Sequence, residues 1–149
     1  MSVLLLALPL AFAEDASYRG LCAADETVVF SCPVKANKHL SVCKPAATEG
    51  LQYRFGPAGS PELTTPAAIT DLSVWAYEEK MYARSMAEEL TVKNGEYAYT
   101  VTSQQSGGPD SFVGVVVRKG EQEIATLPCV GETVLVHFDR LPNAVRFQD

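Results

Sequence analysis

Leu90-Thr91-Val92-Lys93-Asn94-Gly95-Glu96-Tyr97-Ala98-Tyr99-Thr100-Val101 decides how the rest of this chain is read. Apolar and polar residues alternate on both sides of Asn94-Gly95, the pattern of two half-buried strands. Asn-Gly favours the positive φ angles of a two-residue type I′ turn, whose twist matches that of the strands it joins. A turn on Asn94-Gly95 sets Lys93 opposite Glu96, Val92 opposite Tyr97, Thr91 opposite Ala98 and Leu90 opposite Tyr99. One face of the hairpin then gathers Leu90, Val92, Tyr97, Tyr99 and Val101, while the other carries opposite charges and small polar groups.

Downstream, Ser103 to Ser111 is polar and glycine-rich and reads as a loop. Phe112 to Arg118 supplies Val113, Val115, Val116 and Val117, a near-continuous apolar run that predicts a strand covered on both faces. Lys119-Gly120 turns the chain into a strand over 121–127 that ends at Pro128-Cys129, and 133–138 suits a strand or a short helix. Upstream, Thr27 to Cys32 is β-branched and aromatic and stops at Pro33, which cannot donate to a ladder. After the polar turn Lys35-Ala36-Asn37, the alternation of residues 38–43 predicts a second strand antiparallel to the first. Leu51 to Phe55 alternates again, Gly56 to Pro61 bends the chain, and Glu62-Leu63-Thr64 returns as a short edge strand. Residues 73–77 suit a strand, whereas Tyr77 to Leu90 also suits a helix; strand is the preferred reading. Short strands at regular spacing predict an all-β, mainly antiparallel fold, a small disulfide-stapled barrel or sandwich formed by residues 14–149 as one domain.

Met1 to Ala13 is uncharged and almost wholly apolar and ends small-x-small, which reads as a signal peptide. No Lys or Arg precedes the apolar stretch, and a basic segment upstream of Met1 would supply it. Thirteen residues are too few to span a bilayer, which needs roughly 20, so the expectation is a periplasmic or secreted protein with no stable membrane insertion after cleavage. The four cysteines, Cys22, Cys32, Cys43 and Cys129, then read as two disulfides. Their wide spacing lacks the close pairs of a zinc site. If the two early strands pair about residues 35 and 36, Cys43 lies beside Thr27 and within reach of Cys22, which leaves Cys32 for Cys129; the other two pairings stay open.

A formal net charge of −6 and a pI near 4.9 argue against nucleic acid, whose phosphates draw on clustered Lys and Arg. The same charge suits a cationic protein partner. His39 and His137 lack the spacing of a metal helix, and no nucleotide-binding or nucleophile-elbow motif is present. The adjacent pairs Glu14-Asp15, Asp25-Glu26, Glu78-Glu79 and Glu88-Glu89 point to opposite faces of any strand, so neighbours do not converge on a bond. No catalytic set, cofactor or metal is expected, and the chain reads as a non-enzyme. The aromatic residues Tyr53, Phe55, Trp75, Tyr77, Tyr97 and Tyr99 read as core. The candidate binding element is the polar loop, with Ser103, Gln104, Gln105, Ser106, Gly107 and Asp110.

Val29-Phe30-Ser31-Cys32, Leu40-Ser41-Val42-Cys43, Leu51-Gln52-Tyr53-Arg54-Phe55-Gly56, Asn94-Gly95-Glu96-Tyr97, Gly114 to Val117 and Leu127-Pro128-Cys129 together resemble a group of small secreted proteins common in Gram-negative bacteria. That likeness implies export to the periplasm and assigns no activity. In Cys32, Ser106-Gly107, Lys119-Gly120 and Cys129 the chain is also similar to C-type lysozyme inhibitors, small disulfide-closed β-barrels. The tyrosine of their Ser-Gly-x-x-Tyr loop is absent: Asp110 stands in its place and Phe112 follows two residues later. The resulting expectation is an exported binding or inhibitor module, with a cationic protein such as a lysozyme as partner. A structural or stress-related envelope protein is the alternative.

Overall fold

β-branched and aromatic residues fill the segments that become strands, and their alternation decides which side faces the core. The computed structural model describes residues 17–106 and 111–148. One sheet contains β1 (Thr27–Val34), β2 (Lys38–Lys44), β3 (Gln52–Pro57), β4 (Leu63–Thr65) and the short β10 (Leu135–Val136), in the order β10-β1-β2-β3-β4. The other contains β5 (Trp75–Met81), β6 (Ser85–Asn94), β7 (Tyr97–Ser106), β8 (Phe112–Lys119) and β9 (Gln122–Pro128) in chain order. All pairings are antiparallel. The fold is an all-β sandwich of two five-stranded sheets with no closed barrel.

The inner faces interlock through side chains that are almost wholly buried: Phe30, Leu40 and Tyr53 from the first sheet, and Trp75, Leu90 and Val101 from the second. Each such side chain contributes about 1.5 to 3 kcal/mol by leaving water. Tyr53 and Tyr99 stack across the sandwich with ring centroids 5.1 Å apart. A 3-10 turn at Phe138–Arg140 and the one-turn helix α1 (Asn143–Arg146) close one end, where Phe138 stacks on Phe30 at 6.0 Å. Among the aromatic residues read as core, Tyr53 and Trp75 are sealed in, whereas Tyr97 is exposed.

The central hairpin differs from its expected register. Asn94 pairs with Tyr97, Lys93 with Ala98, Val92 with Tyr99 and Leu90 with Val101, so the two-residue loop is Gly95-Glu96. Only Gly95, at φ 61°, has positive φ there. A type II′ turn requires positive φ at its first loop residue alone, while type I′ requires it at both, and Asn94 remains in the strand. The shift moves each partner by two residues and therefore leaves every side chain on its expected face. In the new register Thr91 and Thr100 share a hydrogen bond between hydroxyls at 2.9 Å.

Residues 77–90 form the β5–β6 hairpin, not a helix, because Trp75 to Met81 pair residue for residue with Val92 to Met86. Leu135–Val136 pairs with β1, which settles the 133–138 segment as a short strand leading into the 3-10 turn.

A strap formed by residues 17–26 crosses the outward face of the first sheet. The Cys22–Cys43 disulfide fastens it to β2, and Cys32–Cys129 ties β1 to the end of β9. The Leu21 backbone N–H donates to Ser41 Oγ at 2.9 Å, and Ser41 and Ser31 hydroxyls bond to each other at 2.8 Å. Gly20 passes over these serines at φ 58°, and a Cβ there would lie 2.1 Å from Ser31 Oγ and 2.4 Å from Ser41 Oγ. Gly20→Ala is therefore expected to cost about 1 to 3 kcal/mol from overpacking and left-handed strain together. Urea titration followed by Trp75 fluorescence measures it; an unchanged midpoint would show that the strap yields without cost.

Candidate functional site

The outward face of the second sheet carries small side chains at its centre and long ones around them. Thr102 on β7 stands opposite Gly114 on β8, and Ala87 on β6 lies between Lys80 and Gln104 in the next row, while Lys80, Gln104, Phe112 and Arg118 form the surround. That difference in side-chain length leaves an open cleft of about 390 Å³, lined also by Glu89, Thr100, Val116 and Thr126. Thr100 and Thr102 are each only 6% exposed although they face away from the sandwich core. The Thr100 hydroxyl is bonded to Thr91, whereas the Thr102 hydroxyl has no partner among the described residues and opens into the cleft.

Charge in the cleft is arranged across strands. Glu78 pairs opposite Glu89 and Glu79 opposite Glu88, so carboxylates that diverge along each strand converge between strands. Like charges directly opposite are destabilising, and each pair has an intermediary. On the cleft side Lys80 Nζ lies 2.9 Å from Glu89 and 3.7 Å from Glu78. The hydrogen bond to Glu89 raises the Lys80 pKa above its ordinary value. On the other face the Tyr77 hydroxyl stands 2.6 Å from Glu88 and 3.0 Å from Glu79. Desolvation, joined by these two carboxylates, raises the Tyr77 phenol well above its usual range.

Of the loop expected from the sequence, residues 103–106 are strand. β7 continues through Ser106 because its partner β6 begins at Ser85, directly opposite. Ser103 is buried on the core side, Gln105 follows it on the same phase but is exposed, and Ser106 is joined to Ser111, whose hydroxyl donates to the Ser106 carbonyl at 3.1 Å. Only Gln104 faces the cleft, and Gly107 and Asp110 lie outside the described residues. Ser106 ends β7, whose first residue Tyr97 pairs with Lys119, so Ser106 and Lys119-Gly120, which carry the likeness to lysozyme inhibitors, lie at opposite ends of the β7–β8 pair, roughly 30 Å apart at ~3.3 Å per residue. One compact contact through both does not follow.

The expectation that β8 is covered on both faces also changes. Val113, Val115 and Val117 take the core phase, while Gly114 and Val116 form the cleft floor instead of meeting a second layer. A Cβ on Gly114 would lie 2.2 Å from the Leu127 carbonyl oxygen and 3.0 Å from the Phe112 ring, so glycine is what lets β9 and that ring close over the floor.

A larger hollow of about 600 Å³ lies where the strap meets β10, lined by Tyr18, Arg19, Glu26, His137 and Arg140 among others. One wall ends at Ser17, the first described residue, and Arg19 and Glu26 are engaged within the strap. His39 Nδ1 is 2.8 Å from the Tyr18 hydroxyl, and among the described residues neither histidine hydrogen-bonds a Ser or Asp. No helix among these residues is long and apolar enough to cross a membrane. The chain matches no protein-family model, no curated protein and no solved structure.

Proposed function

We propose that this chain is an exported binding module and that the cleft on the outward face of the second sheet holds its ligand. The observation that carries the reading is Thr102, a side chain only 6% exposed on the outward sheet face whose hydroxyl has no partner among the described residues and opens into the cleft. A hydroxyl without a protein partner that opens into a concave face can both donate to and accept from a polar solute. Two disulfides support export, as does the apolar stretch Met1 to Ala13, which lies outside the described residues.

The test is an amide-shift titration of isotope-labelled protein with the low-molecular-mass fraction of a periplasmic extract. Shifts concentrated in residues 100–104 and 112–118 are expected; shifts absent there, or scattered evenly over both sheets, would sink the reading. A second reading, inhibition of a cationic protein such as a lysozyme, is favoured by Glu78, Glu79, Glu88 and Glu89 gathered on one hairpin of an acidic chain. A lysozyme turbidity assay decides it, since no inhibition at large molar excess removes it. A structural envelope protein is then the remaining alternative.

A further inference from the structure

Resting on the reading of the cleft as the ligand site, we infer that the ligand is an acidic saccharide, its carboxylate held by Arg118 and a sugar ring packed on Phe112. Phe112 and Arg118 lie six residues apart on the same face of β8, which spans roughly 20 Å at ~3.3 Å per residue. The cleft is thus an open slot and not a compact cavity, a shape that suits linked rings better than a single small ion.

Sugar hydroxyls both donate and accept, so a complementary site must offer both. Thr102 supplies a hydroxyl with both capacities. Gln104 donates from Nε2 to Ser85 Oγ at 3.4 Å, and its side-chain carbonyl oxygen accepts no hydrogen bond among the described residues. Lys80 and Glu89, joined by their ion pair, add a charged donor two strands away and a charged acceptor one strand away. Phe112 supplies what these groups lack, a flat apolar ring for the C–H face of a pyranose.

The charge requirement comes from Arg118. Its guanidinium makes no hydrogen bond or ion pair among the described residues, although Glu123 pairs opposite it on β9 and the chain is acidic overall. Glu123 instead accepts from the Thr126 hydroxyl at 3.2 Å. An uncommitted guanidinium offers paired donors matched to a carboxylate. One uncommitted cation among the described residues of the cleft is too few for a polyphosphate chain, whose binding scales with the number of charges neutralised.

The disaccharide of N-acetylglucosamine linked to N-acetylmuramic acid and the disaccharide of two N-acetylglucosamines form a suitable probe pair, because they share two linked rings that can extend from Phe112 toward Arg118 and differ by a lactyl carboxylate. The acidic sugar should shift the amides of Thr102, Gln104, Phe112, Val116 and Arg118 and bind at least about tenfold more tightly than the neutral one, the scale of one charge-assisted hydrogen bond. Arg118→Gln should abolish that preference with little effect on the neutral sugar, and Phe112→Ala should weaken both; unchanged Trp75 fluorescence and thermal midpoint identify the variants that remain folded. Equal affinity for the two sugars, a preference that survives Arg118→Gln, or binding of inorganic phosphate alone would each overturn the inference. If the extract shifts this face but neither sugar does, the saccharide class fails and the binding cleft stands; if neither extract nor sugars shift it, both readings fail.

Discussion

Replacing Cys129 with Ser is expected to lower the free energy of unfolding by about 4 to 5 kcal/mol, against ~3 kcal/mol for Cys22→Ser. The bridge from Cys32 to Cys129 closes a sequence separation of 97 residues, whereas Cys22 to Cys43 closes 21. In the chain-entropy account the longer loop restricts the unfolded ensemble more. The two bridges also hold different things: one links β1 in the first sheet to the end of β9 in the second, and the other fastens the strap to a strand it already contacts. Cys129 is the better position to change, because it is half-buried while Cys32 is fully buried, where a serine would add an unsatisfied hydroxyl. Domains of ordinary stability have about 5 to 15 kcal/mol in total, so the loss is large enough to read by urea titration with Trp75, the single tryptophan and only 2% exposed, as reporter. Equal losses for the two variants, or a larger loss for Cys22→Ser, would show that loop length does not set the order.

The pairing of those cysteines was legible because it depends on one local feature. Lys35-Ala36-Asn37 is the β1–β2 loop, with Ala36 and Asn37 at positive φ, and once it turns there Cys43 falls opposite Val28. Cys22, just upstream of the same strand, then has one neighbour within reach. The register of the β6–β7 hairpin was less legible, since Asn94-Gly95 is a strong local signal but ten residues of cross-strand pairing outweigh it. Its faces survived because the slip was of two residues and not one. Residues 77–90 were ambiguous for a similar reason: their charges satisfy helical and strand spacing alike, and β6 is held as a strand also by β7, which lies outside that segment.

The cleft was nearly invisible in the sequence because its lining comes from five strands, β5 to β9, with no two adjacent residues among them. Polarity drew attention to 103–110, of which residues 103–106 are the end of β7. The usable signal lay in the apolar run from Phe112 to Arg118. Gly114 and Val116 fall on its outward phase, and an outward face that small and apolar needs either a covering layer or a concavity. Thr91, Thr100 and Thr102, on the outward phase of the hairpin, carried the same message once the strands were laid side by side.

Glu26→Gln is expected to cost about 3 kcal/mol near neutral pH, the lower end for breaking a largely buried ion pair, and the cost should shrink in acid. Arg54 grips Glu26 through both carboxylate oxygens, at 2.5 and 2.7 Å, and the two side chains are only 16% and 11% exposed. Arg54 also donates to the Leu21 carbonyl and to Gln52, while Glu26 accepts from the Ala23 N–H, so the pair anchors the strap to β3. These bonds, led by that from Arg54, hold the Glu26 carboxyl below its ordinary value of 4.5. A group depressed in the folded state contributes stability that is fully present above its unfolded pKa and is lost as pH falls through the folded one. The gap between wild type and Glu26→Gln should therefore be constant from pH 7 to about 5 and narrow progressively below 4.5. Because neutral Gln leaves Arg54 buried without its counter-charge, Glu26→Gln combined with Arg54→Gln should cost less than the two single losses added together. Thermal midpoints against pH for wild type, both single variants and the double measure all of this. A gap that stays constant down to pH 3, or losses that simply add, would show that the bridge contributes through packing and not through its charge.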